Sequence, residues 1–152
     1  MSRTASALLT LIIVACSTAP TPLPTSTAVA TATVVKLTPP PGSEVRSTDV
    51  IEADVQYVIE NFDSRREYYL APLFASNDGA GRTFNEFQRI TDGWKITRSS
   101  GIIHVRYPVA REWRSSSLAK PVKMNFKIMV RTGAHSTKVI GETEVVEYRP
   151  VV

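Results

Sequence analysis

The chain is poor in the side chains that cross-link proteins or hold metals. It has one cysteine, Cys16, and two histidines, His104 and His135, among 152 residues. One thiol cannot close an intramolecular disulfide, and a structural zinc site needs four ligands drawn mainly from cysteine and histidine. The composition therefore predicts a domain that is stabilised by packing alone, with no metal ion and no other cofactor.

Long apolar runs are missing as well. The largely apolar stretch from Ala5 to Ala15 has 11 residues, whereas a helix that crosses a hydrocarbon core of about 30 Å needs roughly 20. Arg3 precedes this stretch, and a basic residue followed by a short apolar segment is the layout of a secretory signal peptide. We therefore expect residues 1–15 to be an export signal.

Cys16 directly follows the apolar stretch. The sequence Ile13-Val14-Ala15-Cys16 resembles the lipobox of bacterial lipoproteins, in which a signal peptidase cuts before a cysteine whose sulfur carries a diacylglycerol. The resemblance implies lipidation of Cys16 and an exported protein anchored to the cell membrane or outer membrane of a bacterium. The alternative is an ordinary cleaved signal with an unmodified cysteine, but such a site requires a small residue where Ile13 stands.

Charge is absent from residues 17–33, which contain eight Ser/Thr and three Pro. No periodicity of 2 or 3.6 residues in this segment can bury a face, so residues 16–33 are predicted to be the lipidated cysteine and a disordered linker. Val or Ala alternates with Thr in residues 28–35, which is compatible with a short strand, but alanine has a low strand propensity.

Helical periodicity is missing from residues 34–152, which we interpret as one all-β domain. Residues 50–60 and 123–131 alternate between apolar and polar side chains most regularly, so they are predicted to be central strands with one buried face. Phe126 is expected on the buried face of the second one. Further strands are predicted over residues 34–38, 68–75, 94–98, 101–107 and 139–148. About seven short antiparallel strands are typical of an immunoglobulin-like sandwich.

The start of this domain carries a family resemblance. Leu37-Thr38-Pro39-Pro40-Pro41-Gly42-Ser43-Glu44-Val45, followed by the alternating residues 50–55, resembles the opening of bacterial immunoglobulin-like or fibronectin type III-like envelope domains. The cysteine pair of antibody domains is absent, although Trp94 or Trp113 is a candidate core tryptophan. Adhesins, spacers, chaperones and carbohydrate-binding modules share such folds, so the resemblance implies a fold and not a function.

Catalytic motifs are also missing. The chain has no Gly-x-Ser-x-Gly elbow and no glycine-rich phosphate loop. His104 alternates with apolar neighbours in a predicted strand and His135 lies in a predicted turn, so neither is expected to be a catalytic base. Asn77-Asp78-Gly79 is better explained as a hairpin turn than as a calcium loop. We expect a protein that is not an enzyme.

Charge is unevenly distributed along the chain. Residues 44–78 contain eight acidic and three basic side chains, whereas residues 82–131 contain eleven basic and three acidic ones. The full chain has a net charge of +4, too small an excess to indicate a nucleic-acid partner. One interpretation is that the two segments form neighbouring strands whose charges pair across the surface.

The other interpretation is a basic recognition surface. Arg111 and Arg114 flank Trp113 in a predicted loop, where the indole could stack on a sugar ring or a partner's aromatic side chain. The same tryptophan could instead close the bottom of the sandwich. Two functional hypotheses follow: a lipid-anchored binding or structural module that recognises an envelope protein or an anionic glycan, and an accessory subunit of an envelope assembly or secretion complex that docks by strand addition.

Overall fold

The computed structural model describes residues 27–75, 83–85, 94–115, 118, 121–134 and 136–151. These residues form strands and one short helix. In chain order they are β1 (Val29–Thr38), β2 (Glu44–Arg46), β3 (Val50–Glu60), β4 (Tyr68–Ala75), β5 (Thr83–Asn85), β6 (Lys95–Ile96), β7 (Ser100–Pro108), α1 (Ala110–Trp113), β8 (Val122–Arg131), β9 (Thr137–Glu142) and β10 (Val146–Val151). The predicted all-β fold is confirmed.

The strands form two sheets packed face to face. The first sheet has the order β1-β3-β7, and the second has the order β2-β10-β8-β4-β5, with β9 beside β8 and β6 beside β4. All pairs are antiparallel except β2 with β10. In the immunoglobulin scheme, β1, β3 and β7 correspond to strands A, B and E, and they face strands C, F and G formed by β4, β8 and β9–β10.

The two predicted central strands lie in the middle of their sheets. In β3 the five apolar side chains from Ile51 to Ile59 are buried, while the alternate side chains are half-buried or exposed. Phe126 of β8 is fully buried in the same core. The outer face of β8 is less exposed to solvent than its sequence indicates, because Met129 packs with Ala71 of β4 and with Trp94 on that side.

β1 is longer than its sequence predicts. It begins at Val29, five residues before the predicted boundary, and pairs with β3 from Val29 opposite Glu60 to Thr38 opposite Glu52. The neighbouring strand is long enough to pair with the whole segment, and cross-strand pairing outweighs the low strand propensity of alanine. Residues 29–33, which the sequence assigned to the linker, are therefore part of the sheet.

The predicted strand over residues 139–148 is two strands. β9 ends at Glu142 and β10 starts at Val146. Between them the Thr143 N–H donates to the carbonyl of Phe126 at 2.9 Å, and the Phe126 N–H donates to Thr143 Oγ1 at 3.0 Å. A side-chain oxygen thus takes the place of a backbone acceptor, which interrupts regular pairing with β8 at this point.

Three other predicted features are shorter than expected or lie outside the described residues. The strand predicted over residues 94–98 is reduced to β6, which pairs with Tyr68 and Tyr69 of β4. The Asn77-Asp78-Gly79 turn and His135 lie outside the described residues.

Tyr148 of β10 couples the second sheet to the connection between β1 and β2, and this contact predicts an alkaline sensitivity. Its buried phenol donates a hydrogen bond to the Pro39 carbonyl at 2.9 Å, and burial raises the pKa of Tyr148 to about 12. Because the unfolded phenol has a pKa of about 10, the folded state holds its proton more tightly. The resulting stability is fully present below pH 10 and is lost as the pH rises through 12.

We expect the wild type to lose about 1.4 kcal/mol more free energy of unfolding than Tyr148→Phe between about pH 8 and about pH 11. Urea unfolding at both pH values measures this difference. Tyr57 titrates in both proteins, so comparing wild type and variant at each pH removes its contribution. Its pKa is raised by burial, and Arg98 opposes this shift. Equal alkaline losses in the two proteins would contradict the assignment to Tyr148.

Candidate functional site

Helix α1 closes one end of the sandwich and carries the predicted recognition residues. It begins after Val109, which is fully buried, and the Trp113 N–H donates to the Val109 carbonyl at 3.0 Å. The Trp113 indole N–H donates to the carbonyl of Val45 in β2 at 2.7 Å. Its ring meets Phe74 of β4 edge to face, with ring centroids 6.0 Å apart. The helix, which follows β7 of the first sheet, is therefore attached to β2 and β4 of the second sheet.

This geometry corrects the recognition role predicted for Trp113. Its side chain is only 8% exposed and belongs to the main core, so its faces are not available to stack on a sugar ring. The alternative interpretation of the sequence, a tryptophan that closes the bottom of the sandwich, is the one observed. Arg111 and Arg114 remain exposed on either side of it.

Glu112 is a buried acidic residue that the sequence did not single out. It is only 3% exposed, and its Oε1 accepts a hydrogen bond from the Tyr107 O–H at 2.6 Å. Within the described part of the chain, its Oε2 is buried without a hydrogen-bond donor. Its neighbours are two arginines and a tryptophan, so the sequence indicated only a charged surface loop. The turn of α1 points this carboxylate inward.

The acidic and basic segments meet as neighbouring strands in the described structure. Three ion pairs join them: Glu52 with Arg106 at 3.1 Å, Glu67 with Arg131 at 2.9 Å and Glu67 with Lys95 at 3.8 Å. In addition, His104 Nδ1 lies within hydrogen-bond distance of Asp54 Oδ1, at 2.6 Å. The Glu52–Arg106 and Asp54–His104 contacts follow from the β3–β7 register, which places these residues opposite each other. Cross-strand pairing, rather than a basic patch, therefore accounts for these charges.

The remaining described arginines of the basic segment lie at opposite ends of β7. Arg98 lies before β7, and Arg111 and Arg114 lie after it. β7 has nine residues, which at about 3.3 Å each separate the two groups by roughly 30 Å. The structure thus provides a small basic surface at α1 instead of one continuous basic face.

A groove opens at the side of the sandwich, between the edge strand β1 and the junction of β9 with β10. It has a volume of about 550 Å³ and is lined by residues 32–37, Pro41, Glu142, Glu144 and Val146. We call it the β1 groove. Ala32, Val34, Leu37 and Val146 are partly buried apolar residues at the border of the core.

Gly141 lies next to the start of the β1 groove. A Cβ atom at this position would overlap the backbone carbonyl of Ala30, so β9 approaches β1 closely there because the residue is glycine. The lining of the groove begins two residues further along β1, at Ala32.

The described residues contain no cluster of three or more histidine, cysteine or acidic side chains that could hold a metal ion. Over the same residues, no helix combines the length and the apolar character needed to cross a bilayer.

Comparison with known proteins does not assign the chain to a family. No model of a known protein family matches it, and no curated protein matches it at a significant level.

Proposed function

We propose that this protein is a non-catalytic, lipid-anchored module of the bacterial cell envelope that binds a protein partner at the side of its β-sandwich. The observation that carries the proposal is the β1 groove, a partly apolar cleft of about 550 Å³ beside an edge strand. Such clefts are common sites for extended peptides, since the strand edge supplies backbone hydrogen bonds and the cleft supplies side-chain contacts.

The sequence before β1 supports the anchored arrangement. The lipobox-like Cys16 is followed by ten residues, 17–26, before the first described residue. At about 3.1 Å per residue, ten residues in an extended form would span roughly 31 Å, enough to hold a domain away from a membrane surface. Two or three acyl chains, each contributing about 0.8 kcal/mol per buried methylene, would hold the protein on a bilayer.

An anionic glycan is a less favoured ligand than a protein. Burial of Trp113 removes the aromatic platform, and Arg111 and Arg114 are the exposed basic residues left at α1. The groove beside β1 instead favours the accessory-subunit hypothesis, in which the domain docks by strand addition. Neither hypothesis involves nucleic acid.

We expect Cys16→Ala to lose membrane attachment. Without the cysteine sulfur there is no acceptor for the diacylglycerol, so the variant should accumulate as an unprocessed precursor or as a soluble exported form. Labelled fatty acid incorporation and membrane fractionation, each compared with the wild type, measure this effect. The anchor proposal fails if the wild type incorporates no label and the variant stays in the same membrane fraction.

A further inference from the structure

We propose that the β1 groove accepts an extended strand of a partner protein, with apolar side chains on one face and a basic residue that lies beside Glu144. The inference rests on the proposed function and specifies its ligand class.

The backbone of β1 has one edge available for such a strand. β1 pairs with β3 along one edge, and alternate residues of an antiparallel strand direct their N–H and C=O groups to the other edge. On that other edge the contact with β9 lies at Ala30, before the groove begins. Residues 32–37 extend over about 20 Å, which is the length of an average strand.

The side chains at the groove suit a strand with one apolar face. Ala32, Val34 and Leu37 line the β1 side, and Pro41 and Val146 also line the groove. Every second side chain of an inserted strand would point toward this apolar surface, and the intervening side chains would point to solvent. Val35, which also lines the groove, is 52% exposed.

The charged side chains at the rim of the β1 groove indicate which type of residue a partner strand would place there. Glu142 pairs with Lys127 at 3.3 Å. Lys36 also lines the groove and is exposed, and its cross-strand neighbour Asp54 is paired with His104. Glu144 is exposed, and among the described residues no basic side chain forms an ion pair with it. A lysine or arginine of the incoming strand would complement this carboxylate.

The chain's own segment before β1 is disfavoured as the occupant of the groove by its sequence. This segment contains Pro20, Pro22 and Pro24, which lack the N–H groups that strand pairing requires.

The test uses the full chain in detergent micelles and the fluorescein-labelled probe peptide Val-Thr-Val-Lys-Val-Thr-Val. A matched peptide carries glutamate in place of lysine. By fluorescence anisotropy we expect the wild type to prefer the lysine peptide by roughly tenfold, and Glu144→Lys to reverse the preference. Glu60→Lys is the matched control: it makes the same charge change at an exposed residue of β3 outside the groove, and it should keep the wild-type preference.

Backbone methylation tests strand addition itself. Two further lysine peptides carry N-methyl groups on alternate residues, one on the odd and one on the even positions. One of them should lose binding and the other should keep it, since only one set of N–H groups faces β1. The proposal is overturned if no peptide binds at up to about 1 mM, if Glu144→Lys leaves the preference unchanged, or if both methylated peptides bind equally.

Two further measurements on the same protein distinguish the other possible occupants of the β1 groove. Peptide binding that appears only after deletion of residues 17–26 would assign the groove to the chain's own segment and overturn the proposal. Self-association that Glu144→Lys abolishes, measured by sedimentation, would assign it to a second copy with the same consequence. None of these results depends on lipidation, so they are separate from the outcome for Cys16→Ala.

Discussion

Replacing Phe126 with alanine is expected to lower the free energy of unfolding by about 3–5 kcal/mol. Phe126 is fully buried in β8, where it lies opposite Pro72 of β4. Its backbone N–H is bonded to Thr143 Oγ1, at the point where pairing along β9 and β10 is interrupted. Removal of the ring leaves a cavity between the two sheets that the interrupted ladder cannot readily close. Urea denaturation monitored by tryptophan fluorescence measures the loss.

Lys127→Ala is the matched control on the opposite face of the same strand. Its side chain is 26% exposed and pairs with Glu142 at 3.3 Å, so its removal should cost less than about 1 kcal/mol. An unchanged midpoint for Phe126→Ala, or a larger loss for Lys127→Ala, would contradict the assignment of the buried face of β8.

Trp113→Ala is expected to destabilise the protein by a similar amount, about 3–5 kcal/mol. The substitution removes the edge-to-face contact with Phe74 and leaves the buried Val45 carbonyl without its donor, which adds a desolvation penalty. Trp113→Phe should have an intermediate effect, because phenylalanine retains an aromatic ring but cannot donate to Val45. Thermal and urea unfolding of both variants separate the packing from the hydrogen bond.

Arg114→Ala tests whether this end of the domain has a structural or a recognition role. Arg114 is exposed directly after α1, so its replacement should change stability by no more than about 0.5 kcal/mol. If Trp113→Ala instead kept the wild-type unfolding midpoint but lost sedimentation with acidic cell-wall polymers, the tryptophan would be a recognition residue.

The sequence alone determined the positions of those strands that show a regular pattern of residues within the strand itself. Alternation of apolar and polar residues located β3, and β-branched and aromatic residues between turns located β4 and β7 to within one residue of their observed bounds. A strand exposes opposite faces every second residue, so a chain with one buried face must show this period. Alternation of the same kind in β8 predicted that Phe126 lies in the core.

Only the tertiary structure decided which parts of the chain meet. The opposing charges of Glu52 and Arg106 are 54 residues apart in sequence and pair because β7 lies beside β3. Trp113 is buried because α1 folds onto β2 and β4, although its arginine neighbours are typical of an exposed loop. The β1 groove is lined by residues of β1 and of the β9–β10 junction, and it begins beside the close approach of Gly141 to Ala30. Each of these features depends on the positions of residues that are distant in sequence, and local periodicity carries no information about those positions.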